Sequence, residues 1–165
     1  CLEMDQISRT EEMICMMKKR GLNLTAQLEM YLKQKDITGV QVYFLVYILR
    51  HHPDGTYLTE LCREIGVSKA TLSALIKKLR EKGYLYFLPE PDDIRKKKVI
   101  PTEKLAAERE ELLEKAGQME AGICGVLDPK EQAQLWNLER KLLNQLSGGE
   151  CDENSENNRQ EVYLP

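Results

Sequence analysis

The sequence predicts a mainly α fold that carries one small β-hairpin, with helices on both sides of the hairpin in the chain. Three observations point there. Apolar residues recur at helical spacing over most of the 165 residues; Tyr84-Leu85-Tyr86-Phe87-Leu88 is rich in β-forming residues at strand length; and Gly83 stands where a preceding helix must stop.

Taken in order, Ile14, Met17, Gly21, Leu24, Leu28 and Tyr31 alternate spacings of three and four. They predict one long N-terminal helix that runs through Gly21, where the missing side chain would admit a neighbouring helix. Thr38 and Gln41 have the spacing of a capping box, and Ile37 with Val42 that of a hydrophobic staple, so the next helix opens at Thr38. Leu58, Leu61 and Ile65 give a short helix one narrow buried face, with Thr59 as its cap. Gly66 supplies the left-handed residue that ends it, and Ser68 caps a second helix reaching Lys82. Leu72, Leu75, Ile76 and Leu79 form the apolar stripe of that helix.

Pro89 to Asp93 should break the strand begun at Tyr84, leaving Arg95, Lys96, Lys97 and Lys98 as a basic tip before Val99-Ile100 returns. Beyond the hairpin, Leu105, Arg109, Leu112, Ala116, Met119, Ile123 and Val126 repeat the three-four spacing. Asp128-Pro129-Lys130-Glu131 ends that helix and caps a last one, striped by Leu135, Leu138, Leu142 and Leu146.

Helix, glycine turn, capped helix, strand, basic segment and returning strand, in that order between Thr59 and Thr102, are what a winged helix-turn-helix requires. The free face of its second helix holds Ser68, Lys69, Ala70, Thr71, Ser73 and Lys77, small and hydrogen-bonding at the front and cationic along its length. Alone, this pattern favours a solvated helix face with ordinary lysines. Four consecutive cations in the wing shift the balance, because they are poor packing residues and good ligands for phosphates or for a narrow minor groove.

The charge distribution agrees. The whole chain carries a net charge of −3, yet residues 50–104 hold 12 Lys and Arg against 8 Asp and Glu. The field a nucleic acid meets is local, and only this third is basic. Five cysteines without a C-x-x-C pair, and His51 and His52 as the only histidines, suggest neither a disulfide framework nor a metal site. No signal-like segment is read at the start, and Val42 to Leu49 is too short an apolar run to span a bilayer, so a cytoplasmic protein with no membrane partner is expected. With no phosphate-binding glycine loop, nucleophile elbow or acid-base constellation, neither a catalytic site nor a cofactor is expected.

These residues resemble the MarR family of bacterial transcription regulators. Glu90-Pro91-Asp92-Asp93-Ile94-Arg95 and Val99-Ile100-Pro101-Thr102 are similar to its wing, Ile37-Thr38-Gly39-Val40-Gln41 to its L-T-x-x-Q, and Ser68 to Leu79 to its recognition-helix pattern. Ala74 and Pro101 depart from that pattern, which bears on the operator sequence and not on the fold. The resemblance implies a homodimeric repressor on a palindromic operator in double-stranded DNA. Within it, the helix from Ser68 enters the major groove, Arg95 reaches the minor groove, and Asp93 orients Arg95 by a charge-assisted pair.

The expected organisation is an N-terminal dimerisation helix over 1–36, the winged domain over 37–102, C-terminal dimerisation helices over 103–146 and a disordered acidic tail over 147–165. The terminal stripes exceed what the small central domain can cover, which favours a second copy over an intramolecular bundle. The resemblance also implies a small aromatic or lipophilic effector that releases DNA, with Met13, Met17, Tyr43, Tyr47 and His51 as candidate lining, although such stripes are more often core. Two alternatives stand beside this reading: a thiol-based redox sensor using Cys15, and a winged-helix protein-interaction module without specific DNA binding.

Overall fold

A computed structural model describes residues 2–147. Six helices and a three-stranded sheet follow in the order α1 (Leu2–Tyr31), a 3-10 turn (Lys33–Lys35), α2 (Gly39–His51), β1 (Thr56–Tyr57), α3 (Leu58–Ile65), α4 (Lys69–Glu81), β2 (Leu85–Glu90), β3 (Asp93–Pro101), α5 (Glu103–Cys124) and α6 (Pro129–Ser147). The tail expected over 147–165 lies, apart from Ser147, outside the described residues.

Helix α2 is the centre of the molecule. Val42, Phe44, Leu45, Ile48 and Leu49 bury most of its circumference, as a helix covered on several sides must. Its capping box is formed as the sequence implies: Thr38 Oγ1 accepts from the Gln41 N–H at 3.2 Å, and Gln41 Oε1 accepts from the Thr38 N–H at 3.2 Å. Around it, Leu61 of α3, Leu72, Ile76 and Leu79 of α4, Val99 of β3, and Leu105 and Leu112 of α5 are fully buried in the same cluster. Helix α1 crosses α2 at Gly39, where an added Cβ would lie 1.8 Å from the Thr25 carbonyl oxygen.

The helix-turn-helix forms with one change at its start. Helix α3 begins at Leu58, its cap is Tyr57 with no side-chain bond, and Thr59 lies inside the first turn. The reason is β1, a two-residue strand with no sequence signal of its own. Thr56 and Tyr57 pair with Val99 and Lys98, so the strand delivers the chain directly into the helix. Gly66 then turns the chain at φ 77°, and Ser68 Oγ accepts from the Thr71 N–H at 3.1 Å to start α4.

The sheet is antiparallel in the order β1-β3-β2. The sequence placed Pro89 to Asp93 in a turn with the cations at its tip; instead β2 extends to Glu90, only Pro91 and Asp92 turn, and Arg95 to Lys98 lie in β3. Proline is tolerated because β2 is an edge strand, where one row of N–H groups has no ladder partner to satisfy, and the ladder shifts register between Pro89 and Glu90. The tip is therefore acidic and the cations run along the strand. Thr102 closes the wing, donating its hydroxyl to the Gly83 carbonyl at 2.6 Å while capping α5 at the Leu105 N–H.

The outer helices pack only in part. Leu105, Leu112, Ala116 and Met119 of α5 are buried, whereas Arg109, Ile123 and Val126 from the same expected stripe are exposed. Met13, Ile14 and Met17 of α1 and Trp136, Leu138, Leu142 and Leu146 of α6 are exposed too. Among the described residues, nothing beyond the adjoining backbone of α1 comes within 4 Å of a Cβ built on Gly21, so the neighbour expected there is not among them. Among the described residues no helix is long and apolar enough to cross a membrane.

Because the obstacle at Gly39 is backbone and cannot swing aside, Gly39→Ala should lower stability by about 3 kcal/mol, the upper part of the usual overpacking range. Denaturant unfolding at fixed protein concentration measures it; a midpoint unchanged from the parent would mean that α1 does not cross there.

Candidate nucleic-acid interface

Helix α4 and the wing enclose a surface crevice of about 440 Å³, lined by Tyr57, Leu58, Thr59, Lys69, Ser73, Lys77, Arg80, Phe87, Arg95, Lys96 and Lys97. Six of these are cations and none is acidic. The local structure explains the convergence. Burial of Leu72, Ile76 and Leu79 turns the opposite face of α4, with Lys69, Ser73 and Lys77, outward. Strand β3, paired with β1 at Val99 and Lys98 and with β2 at Lys97, then brings Arg95 to Lys97 beside it.

Six expected residues thus meet: Lys69, Ser73, Lys77, Arg95, Lys96 and Lys97. Ser68, Ala70 and Thr71 sit at the front of α4 outside the crevice lining, where the Ser68 hydroxyl donates to Thr71 Oγ1 at 2.8 Å. Lys98 is also outside it, its Cε 3.2 Å from where a Cβ on Gly55 would stand. Asp93 does not pair with the Arg95 guanidinium; its Oδ1 accepts from the Arg95 backbone N–H at 2.9 Å and so shapes the start of β3. With a two-residue turn, the carboxylate reaches the nearer backbone donor two residues on.

Residues not assigned to the site from the sequence complete it, among them Arg80, read there only as an edge of the free face of α4. The Arg80 guanidinium carbon lies 4.2 Å from the Phe87 ring centroid, and Lys97 Nζ lies 5.5 Å from it. The Tyr57 hydroxyl donates to Glu90 Oε1, tying β1 to the end of β2, and that hydrogen bond is the leading cause that raises the Tyr57 phenol above its ordinary pKa. Arg80 had a signal, since it follows Ser73 and Lys77 at spacings of seven and three. Tyr57 and Glu90 had none, being 33 residues apart.

Residues 35–96, which contain this crevice apart from Lys97, match the model of the MarR family. Over that segment the chain is similar to the MarR family. Regulators of this family are DNA-binding transcription factors and not enzymes. Over 134 residues, 81% of this chain and 84% of the relative, it is 25% identical to the HTH-type transcriptional repressor NicR of Pseudomonas putida. Among solved structures it is similar to S. aureus MepR in complex with DNA, with a TM-score of 0.71 at 23% identity over 79% of this chain and 95% of that one. It is also similar to a MarR family regulator of Listeria monocytogenes complexed with 26mer DNA, with a TM-score of 0.72 at 17% identity over 90% and 92%. A third is Bordetella bronchiseptica BpsR, whose DNA binding is regulated by 6-hydroxynicotinic acid, with a TM-score of 0.69 at 21% identity over 79% and 98%.

The effector residues expected of a MarR protein fall into two groups within this chain. Met13 and Met17 line an open cavity of about 960 Å³ between α1 and α5, with Tyr31, Met119 and Ile123. Tyr43, Tyr47 and His51 form a separate row on α2, with ring centroids 6.5 Å apart between Tyr43 and Tyr47 and 4.4 Å apart between Tyr47 and His51. Cys15 is exposed on α1, along a surface groove with Lys18 and Lys19.

Next to the aromatic row, Glu64 of α3 receives two bonds on one oxygen, from the Tyr47 hydroxyl at 2.8 Å and His52 Nε2 at 2.7 Å. Burial first, and then the Glu64 bond, push the Tyr47 phenol up to about 12. For Glu64 burial acts upward, but the His52 and Tyr47 bonds outweigh it and hold the carboxyl below its ordinary value. A carboxylate with a depressed folded pKa stabilises above its unfolded value and loses that contribution as pH falls through the folded one. Glu64→Gln should therefore be less stable than the parent at neutral pH, with the gap closing as pH falls below about 4. Denaturant midpoints across that range check it, and a pH-independent gap would show that the charge on Glu64 is not what matters.

Proposed function

We propose that the chain is a cytoplasmic homodimeric repressor that reads a palindromic operator with α4 in the major groove and the wing along the adjacent backbone and minor groove. The observation that carries this is the crevice between α4 and the wing, six cations without an acid in a chain whose net charge is −3. Ser68, Lys69, Ala70, Thr71, Ser73 and Lys77 are assigned to the groove face, and Arg95, Lys96, Lys97 and Lys98 to phosphates and the minor groove. The similarity to the repressor NicR and to the MepR and Listeria monocytogenes regulators in complex with DNA supports the same reading.

Exposed apolar residues along α1 and α6 support a second copy as the missing cover, because contiguous apolar surface on this scale marks an interface. Two α4 helices related by a two-fold axis suit half-sites about one DNA turn apart. An aromatic acid as effector is supported by BpsR and 6-hydroxynicotinic acid and by the Tyr43-Tyr47-His51 row. Such a ligand releases DNA by favouring the separation of the two α4 helices that the operator does not fit.

Sedimentation equilibrium at micromolar concentration should give a folded species of twice 19.1 kDa; a helical monomer would remove the dimer. Arg95→Ala should weaken binding to duplex DNA selected by the parent protein about tenfold and lower the salt slope by about one, without unfolding the chain. The same assay, titrated with 6-hydroxynicotinate and benzoate, reads release. Equal affinity of Arg95→Ala and parent across a salt series would sink the wing assignment.

A further inference from the structure

We infer that Phe87 is the positioning residue of the DNA interface: its ring presets Arg80 of α4 and Lys97 of β3 in the crevice, and Arg80 thereby becomes a phosphate-binding residue. The inference rests on the nucleic-acid reading above and adds to it a residue that need not touch DNA. Phe87 pairs with Val99 across β2 and β3, two residues from buried Leu85, so its side chain lies on the inner face of the sheet. It is half-buried against the core and lines the crevice with what remains. One part of the ring is held by packing, and the other part faces the cations.

Neither Arg80 nor Lys97 has a carboxylate within ion-pair distance among the described residues. What restrains these two long side chains is the ring, at 4.2 Å from the guanidinium carbon and 5.5 Å from the ammonium. The negative face of an aromatic ring attracts both cations and offsets part of their mutual repulsion. It also takes up rotamer freedom that would otherwise be lost when DNA binds. A guanidinium lying over a ring keeps its in-plane N–H donors, so Arg80 can hold Phe87 and a phosphate oxygen together. Because Arg80 is on the recognition helix and Lys97 on the wing, the ring also fixes the two reading elements relative to each other.

The test compares Phe87→Leu, Phe87→Trp, Arg80→Ala and the double variant Arg80→Ala/Phe87→Leu with the parent. Binding to a mixed-sequence duplex is followed by fluorescence anisotropy over a salt series, with thermal unfolding of each protein alongside. Phe87→Leu keeps an apolar side chain and loses the ring, and should weaken binding about tenfold with the salt slope reduced by about one to two. Phe87→Trp keeps a ring face and should bind within about twofold of the parent. The double variant should lose less than the sum of the two single losses, since both changes remove the Arg80–Phe87 contact. Arg80 is exposed, so Arg80→Ala keeps the test open if Phe87→Leu does not fold; it should reduce the slope by about one. Parent-like affinity and slope in folded Phe87→Leu or in Arg80→Ala, or full additivity in the double variant, would overturn the inference. A parent protein with no salt-dependent binding to any duplex would instead overturn the interface reading on which it rests.

Discussion

The backbone contact of α1 against α2 at Gly39 is the constraint on which the packing around α2 depends. There is no room for a side chain between Gly39 and the Thr25 carbonyl, and Glu29 Oε2 accepts from the Gly39 N–H at 3.0 Å across the same gap. Immediately beside it, the capping box of α2 gains a third member. Lys82, which caps the end of α4, donates from Nζ to Gln41 Oε1 at 2.9 Å and to the Asp36 carbonyl at 2.5 Å. Gln41 is buried, and its amide oxygen serves both the Thr38 N–H and the Lys82 ammonium. Leaving such an oxygen without donors would cost its desolvation, so the end of the recognition helix, the start of α2 and the α1–α2 connection are held as one joint.

Most of the fold was legible because its signals are local. The capping box at Thr38 and Gln41, the left-handed Gly66, the Ser68 cap and the stripe through Leu72, Ile76 and Leu79 each depend on residues a few positions apart, and the structure forms them as the pattern requires. What was not legible is long-range. Thr56 and Tyr57 become a strand only because β3 lies beside them, and that strand is why Thr59 is no cap. Pro89 reads as a strand breaker, but the cost of a missing N–H depends on whether the strand is at an edge, which a sequence does not state. The same holds at the site. The cations of α4 and β3 are visible as residue types, whereas Phe87 reads as an ordinary strand residue and its contact with Arg80 depends on how α4 leans on β2.

Charge is partitioned with a physical consequence. In the outer helices, cations are matched by acids: Lys35 lies 2.8 Å from Glu111 and 3.4 Å from Glu108, and Arg20 lies 2.5 Å from Glu139. The Glu111 hydrogen bond is the leading reason the Lys35 ammonium is raised above its ordinary value. Pairs of this kind contribute little stability, but each sets an acid against its cation. In the crevice the cations have an aromatic ring and no acid, so their field is left for an anionic partner. A chain that is acidic as a whole thus presents one basic face.

The two joints that hold α4 also constrain how an effector would act under the proposed function. Lys82 ties the end of α4 to the start of α2, and Phe87 ties Arg80 to the wing, so α4 has contacts to both. Tyr47 and His52, by contrast, reach α3 through Glu64, at the other end of α2. A ligand stacking on the Tyr43-Tyr47-His51 row competes with the Tyr47 contact and changes how α2 holds α3. A ligand between Met17 and Met119 acts instead on how α1 meets α5. The first would reorient the reading head on its shaft, and the second would change how far apart two shafts stand. Since operator fit depends on where the two α4 helices stand, a ligand at either place would have a route to release under the proposed function.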